Sequence, residues 1–219
     1  MTVAAPRLTL ERRLLGESDV IVALDEVGRG ALAGPVAVGV AVMDAAGARR
    51  RIPEGLRDSK LVTEKKRPEI AARAAAWVQA SGVGWASSAE IDDIGIMRAL
   101  GLAASRAIIA VVEQGVALEN ALVLLDGNHD YVSAMHPAPL RVRSQVKADR
   151  DCASVSAASV IAKVARDTLM AELHGEHPSY QWARNKGYAS VEHREAIRRL
   201  GLSPHHRSSW AIADAPTLF

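Results

Sequence analysis

At 219 residues, with 49% hydrophobic and 24% charged side chains, the chain carries enough apolar material for a buried core and is not a disordered sequence. The formal net charge of +2 does not by itself identify a nucleic-acid binder, and 4% aromatic content would leave any nucleic-acid surface relying on charge and backbone groups rather than stacking. The single cysteine, Cys152, excludes an internal disulfide framework, and the opening MTVAAPRLTLERRLL has neither the apolar run nor the cleavage site of a secretion signal, so a cytoplasmic protein is expected.

The predicted elements alternate between strands and helices. Val20 to Leu24 (VIVAL) is a short β-branched run ending at Asp25–Glu26 and the glycines Gly28 and Gly30, as a buried strand entering a tight turn would. Pro35 to Met43 alternates Val with small residues and reads as the next strand. The uncharged stretch around it, Gly30 to Met43, is too short to span a bilayer, so no membrane association is expected. Pro68 suits the first turn of a helix continuing to Ala80, and Val83 to Ser87 reads as a short strand. Asp92–Asp93 precede one long apolar-periodic helix from Ile94 to Gln114, with Gly115 just past its end. Ala121 to Leu125 is another buried strand, closed by Asp126–Gly127, and Leu140 to Ala148 alternates as a half-exposed strand. Ser154 or Ser156 could cap a helix running to about Leu173. Beyond it the chain is basic and helical in pieces, broken by Pro178, Gly187, Gly201 and Pro204. The pattern predicts an α/β domain.

Acidic residues fall at strand ends: Asp25–Glu26 after one strand, Asp126 after a second and Asp149 after a third. Strand ends gathered at one sheet edge would bring these carboxylates together. Such hard oxygen donors suit Mg²⁺ or Mn²⁺, and two ions about 3.5–4 Å apart can drive phosphodiester hydrolysis. Asp-Gly after a strand is also an ordinary turn, so Asp126 alone carries little weight. The Gly28-Arg29-Gly30 segment lacks the spacing of a dinucleotide or P-loop fingerprint. It could bring backbone N–H groups against a phosphate or sugar, or simply turn the chain. Two stretches are basic: Arg49 to Arg73 holds nine Lys/Arg against four acids, and Gln181 to Trp210 holds six, Lys186 and Arg207 among them, against two. They could neutralise phosphates or form solvated helix faces. A carboxylate–metal site needs no imidazole base, so His205 and His206 are expected to be phosphate-facing or structural and His174 and His177 exposed. Cys152 is expected to be inert, and Ser154, Ser156 and Ser159 to cap and pack.

Several blocks, in order over about residues 19–210, resemble the ribonuclease HII (type 2 ribonuclease H) family. They are DEVGRGALAGPV (Asp25 to Val36), RDSK (Arg57 to Lys60) with TEKKR (Thr63 to Arg67), and LLDG (Leu124 to Gly127). VKAD (Val146 to Asp149) with SVSAASVIAKVARD (Ser154 to Asp167), NKGY (Asn185 to Tyr188), His193 and HHRSSW (His205 to Trp210) complete the series.

The resemblance implies a ribonuclease H-like α/β fold: a five-stranded mixed sheet with helices on both sides and a helical C-terminal extension. The expected division is an N-terminal segment 1–18, a catalytic domain 19–173 and an extension 174–219 packed on it. It implies a monomeric endoribonuclease that cuts the RNA strand of RNA–DNA hybrids and incises at ribonucleotides embedded in duplex DNA, as in ribonucleotide excision repair. The implied chemistry uses two metal ions, Mn²⁺ or Mg²⁺, and leaves a 3′-hydroxyl and a 5′-phosphate. By position, Asp25, Glu26, Asp126 and Asp149 correspond to the family's metal-binding, catalytic carboxylates, with Asp151 and Asp130 as rivals for the last. Gly28, Arg29 and Gly30 correspond to the loop that contacts the ribose 2′-hydroxyl, and Tyr188 to the tyrosine at the ribonucleotide–deoxyribonucleotide junction. Lys60 and Lys186 are expected phosphate contacts, and Asp167, beside Arg166, is expected in a helix-surface or structural ion pair. Ala31, Leu61, Asn185 and Trp210 depart from the usual proline, second lysine, histidine and phenylalanine.

Other readings fit less well. A junction resolvase of the same superfamily would not need the Gly-Arg-Gly and Lys-Gly-Tyr segments. A noncatalytic hybrid-binding module is expected to have lost one of the acids. A type 3 ribonuclease H carries a substrate-binding domain for which the roughly 18 residues before the first strand leave no room.

Overall fold

In the computed structural model, which describes residues 5–210, strand alternation builds two cores on opposite faces of one sheet. The outermost residues of the expected N-terminal segment and C-terminal extension, 1–4 and 211–219, lie outside the described residues. Along β1 (Val20–Val27), Ile21 and Ala23 face one core while Val20, Val22 and Leu24 face the other. β2 (Val36–Asp44) pairs antiparallel with β1, and β3 (Ala80–Ala86) antiparallel with β2. β4 (Ala121–Asp126) runs parallel to β1, and β5 (Arg141–Gln145) parallel to β4, giving the order β3-β2-β1-β4-β5. The expected five-stranded mixed sheet is therefore present.

In chain order the helices are α1 (Thr9–Leu14), α2 (Arg67–Trp77), α3 (Ser88–Ile94), α4 (Ile96–Val112), α5 (Ala148–Asp151), α6 (Ala153–Glu176), α7 (Trp182–Asn185) and α8 (Val191–Leu200). α2 and α6 cover the Ile21 face, and α4 covers the Val22 face with Leu100, Ala104 and Ile108. None of the described helices is long and apolar enough to cross a membrane.

Three expectations about the helices need correction. The helix expected from Ile94 to Gln114 is α4, Ile96–Val112, and the residues before it, expected only to lead into it, form a separate helix α3, which Gly95 at φ 77° divides from α4. Asp92 consequently lies inside α3, which is capped by Ser87 and Glu90, and accepts hydrogen bonds from Ser208 and Ser209. The helix expected to reach Ala80 stops at Trp77, since the Gln79 N–H donates to the Val42 carbonyl and draws the chain into the sheet. Finally, neither Ser154 nor Ser156 caps α6. Ser154 lies within its first turn and donates through both N–H (3.0 Å) and hydroxyl (2.9 Å) to the buried Glu11 of α1. Ser156 donates to the Asp149 carbonyl at 2.7 Å. A carboxylate at a helix start complements the dipole there. Burial nonetheless holds the Glu11 pKa above its ordinary value against these hydrogen bonds.

The C-terminal pieces form a small third core in which Tyr180, Trp182 and Ile197 pack on Met170 of α6 and on Ala33. Tyr180 and Trp182 stack at 5.2 Å. Trp182 Nε1 donates to His193, whose ring meets that of His206 at 3.1 Å. His206 is thus structural, the second of its two expected roles, while His174 and His177 are half-buried rather than exposed.

Candidate active site

Because β1, β4 and β5 are parallel, their C-terminal ends share one sheet edge. Asp25 and Glu26 lie within β1, two and one residues before its end, rather than after it, and Asp126 is the last residue of β4. Asp149 does not close its strand. β5 ends at Gln145, Lys147 turns the chain with φ 62°, and Asp149 follows in α5. Its N–H donates to Asp126 Oδ1 at 3.2 Å. Of its rivals, Asp130 accepts from the N–H groups of Val132 and Ser133, and Asp151 is exposed beside Arg7 and Leu10. Asp149 is the one joined to Asp126.

Like charge at this edge is only partly balanced. Asp25 is buried, and burial together with the Glu26 and Asp126 charges pushes its pKa well above the ordinary carboxylate range. Burial also raises Glu26, opposed by Arg29, whose guanidinium lies 3.8 Å away. Burial and then Asp149 raise Asp126. Lys60 Nζ sits 3.2 Å from Asp149 Oδ2 and 4.0 Å from Asp58 Oδ1. Burial opposes its charge, but Asp58, Asp25 and Asp149 outweigh that and raise its pKa. Lys60 therefore faces the carboxylates themselves. Buried carboxylates raised by one another are the electrostatic condition that a cation relieves.

The Gly28-Arg29-Gly30 loop adjoins this edge. Asp25, Glu26, Gly28, Gly30, Lys60 and Tyr188 are among the residues that line one cleft of about 450 Å³. Gly28 has φ 85°, and a Cβ there would overlap the Arg166 guanidinium, so the position requires glycine. Two buried arginines fix the loop. Arg207 donates to the carbonyls of Gly28 (2.6 Å), Arg29 (2.8 Å) and Gly34 (3.2 Å). Arg166 donates to those of Ala33, Pro35 and Lys186 and lies 5.5 Å from the Tyr188 ring. Arg207 thus leaves the basic cluster in which the sequence placed it. Lys186 is also turned in: its ammonium donates to the Ala183 carbonyl and pairs with Glu64 at 3.0 Å. Asp167 is held by Lys163 and Arg67, the expected structural ion pair. Burial lifts the Cys152 thiol to about 12, which leaves it inert at neutral pH.

Sequence reasoning missed Arg166, Arg207 and Tyr131. The Tyr131 hydroxyl is buried without a hydrogen-bond partner, and burial followed by the Glu26, Asp25 and Asp126 charges raises its pKa well above normal. An arginine or tyrosine in a polar stretch carries no local mark of burial.

A sequence profile described as Ribonuclease HII matches residues 22–213. The chain is 46% identical over 217 residues to the ribonuclease HII of Streptomyces avermitilis, covering 98% of this chain and 88% of that one. Its fold is similar to that of ribonuclease H2 from Pyrococcus horikoshii, with a TM-score of 0.72 and 26% identity over 89% of this chain and 95% of that one. Bst-RNase HIII in complex with Mn²⁺ shares the fold at a TM-score of 0.71 and 21% identity, covering 97% of this chain and 73% of that one.

Proposed function

The chain belongs to the ribonuclease HII family of metal-dependent endoribonucleases, and from that premise we propose that it cuts the RNA strand of RNA–DNA hybrids and incises at single ribonucleotides within duplex DNA. The observation that carries this reading is the convergence of Asp25, Glu26, Asp126 and Asp149 at one sheet edge beside the Gly28–Gly30 loop. The donor set fits divalent cations: it offers only hard carboxylate oxygens, three of them on groups whose pKa is raised. Asp25, Glu26, Asp126 and Asp149 would hold the ions. A bound pair of Mg²⁺ or Mn²⁺ supplies the acidity for water attack and the charge that stabilises the leaving oxygen, giving a 3′-hydroxyl and a 5′-phosphate.

The chain's own groups do the rest. Lys60 balances part of the Asp149 charge and offers an exposed ammonium to a phosphate. The Gly28–Gly30 backbone approaches the sugar, held by Arg207, while Arg166 braces Ala33 and Pro35 just beyond it, so that it need not reorganise on binding. Tyr188 presents its ring to the same cleft.

The test is cleavage of a DNA duplex carrying one ribonucleotide beside a continuous hybrid, each with Mn²⁺ or Mg²⁺, with product ends identified. Incision at the lone ribonucleotide that disappears in Asp126→Asn, with hybrid affinity near wild type, is expected. Cleavage of the hybrid alone would remove the ribonucleotide half of the proposal, and full activity in Asp126→Asn would remove the carboxylate assignment.

A further inference from the structure

At the far end of α6, Glu176, His177 and His205 bring one carboxylate oxygen and two imidazole nitrogens within 4.8 Å of one another. Among the described residues no other group of three His, Cys, Asp or Glu ligand atoms converges so closely. None of the three lines the cleft of Asp25 and Glu26. Glu176 ends α6, His177 is its C-cap, and His205 comes from the loop after α8. That loop is held in place. The His205 N–H donates to Ser203 Oγ at 3.3 Å, its carbonyl accepts from the Gly34 N–H at 2.8 Å, and His206 beside it is buried against His193. The His177 and His205 rings meet edge-on at 5.4 Å, and Trp182 packs against both. Both imidazoles are half-buried and Glu176 is exposed, which leaves one side open to water.

We propose that Glu176, His177 and His205 form a Zn²⁺ site that ties the end of α6 to the loop carrying Arg207. Two imidazoles and one carboxylate favour Zn²⁺ over Mg²⁺, which prefers oxygen donors alone. Tetrahedral Zn²⁺ with ligands at about 2.0–2.1 Å sets its donors about 3.4 Å apart, a closure within reach of small side-chain rotations from the present spacing. The fourth position would be taken by water. The consequence reaches the active edge: two residues past His205, Arg207 holds the Gly28 and Arg29 carbonyls, so the ion would steady the Gly28–Gly30 loop from behind.

The full chain is titrated with Zn²⁺ by calorimetry in excess Mg²⁺, which occupies the carboxylate edge, and separately with Co²⁺ while visible absorption is followed. One equivalent of Zn²⁺ that Mg²⁺ does not displace, four-coordinate Co²⁺ bands and a Tm raised by Zn²⁺ are expected. His205→Ala and Glu176→Gln should weaken Zn²⁺ binding by at least about 100-fold, since losing even an outer partner of a metal ligand costs about 10–100-fold. Glu176 is exposed at a helix end, so its variant keeps the test valid if His205→Ala loosens the loop. Asp25→Asn should bind Zn²⁺ as the wild type does. No Mg²⁺-resistant binding, unchanged affinity in both variants, or loss in Asp25→Asn instead would each overturn the proposal.

Discussion

The Nη2 of Arg207 lies 2.6 Å from the carbonyl oxygen of Gly28, although 179 residues separate them. With the bonds to Arg29 and Gly34, this one buried guanidinium satisfies three carbonyls of the loop beside the carboxylates. Lysine cannot reproduce the fork, and each buried acceptor left bare costs about 1–3 kcal/mol. Arg207→Lys should therefore lower the unfolding midpoint and slow hybrid cleavage together, measured by thermal denaturation and steady-state kinetics. Unchanged values in both would mean that the loop holds itself.

Asp25 should make metal-free stability depend on pH. Its folded pKa lies above the ordinary value of 3.8, so below 3.8 both states are protonated and the group costs nothing. Between 3.8 and the raised pKa the unfolded state ionises while the folded state keeps its proton, so stability falls across that window and levels off once the raised pKa is passed. Asp25→Asn escapes that loss. In a chelator, the variant's advantage in Tm should grow with pH from 3.8 upward and then level off. Mn²⁺ should narrow it, because the ion binds the ionised wild type. An advantage that is flat with pH would show that burial does not perturb Asp25.

Much of this was legible in the sequence because it is local. Val20–Leu24 and Ala121–Leu125 are apolar runs stopped by acids, and two parallel strands that end in acids put those acids on one edge. The break at Gly95 was not legible, since apolar residues of helical spacing continue on both sides of it. Nor was the burial of Arg207 or Glu11, whose partners lie at the other end of the chain. Lys147 adopts a left-handed conformation that no side chain announces, so the turn placing Asp149 against Asp126 read as continuing strand.

The two lysines expected to meet phosphates should separate. The Lys60 side chain is 75% exposed, whereas that of Lys186 is 13% exposed and already paired with Glu64. Removing one phosphate contact makes the dependence of log affinity on log salt shallower by about 0.9. Lys60→Ala should show that change in hybrid titrations across salt concentrations. Lys186→Ala should leave the slope alone and lower the Tm. A slope altered only by Lys186→Ala would put the duplex on the other side of the cleft.

Discrimination of RNA from DNA offers the sharpest test of the loop, because its two glycines are not equivalent. The 2′-hydroxyl is the sugar group that distinguishes the strands, and it can donate and accept. Gly28 is needed by the fold, with positive φ and Arg166 against it. At Gly30 a Cβ would meet nothing within 4 Å, and the residue is exposed. Gly30→Ala should therefore leave the Tm unchanged while impairing both substrates, since the added methyl obstructs only what binds there. Tyr188 is 37% exposed in the same cleft, with Arg166 5.5 Å from its ring centre. If the ring packs on the deoxyribose that follows the ribonucleotide, an extra hydroxyl there fits poorly, and the ring favours DNA on the 3′ side. Tyr188→Ala should then slow incision at a single embedded ribonucleotide more than cleavage of a continuous hybrid, while Tyr188→Phe keeps most of the ratio. Both variants are compared on both substrates under one metal condition. Equal slowing by Tyr188→Ala would make the ring a support for Arg166, and a Tm lost in Gly30→Ala would make that glycine structural.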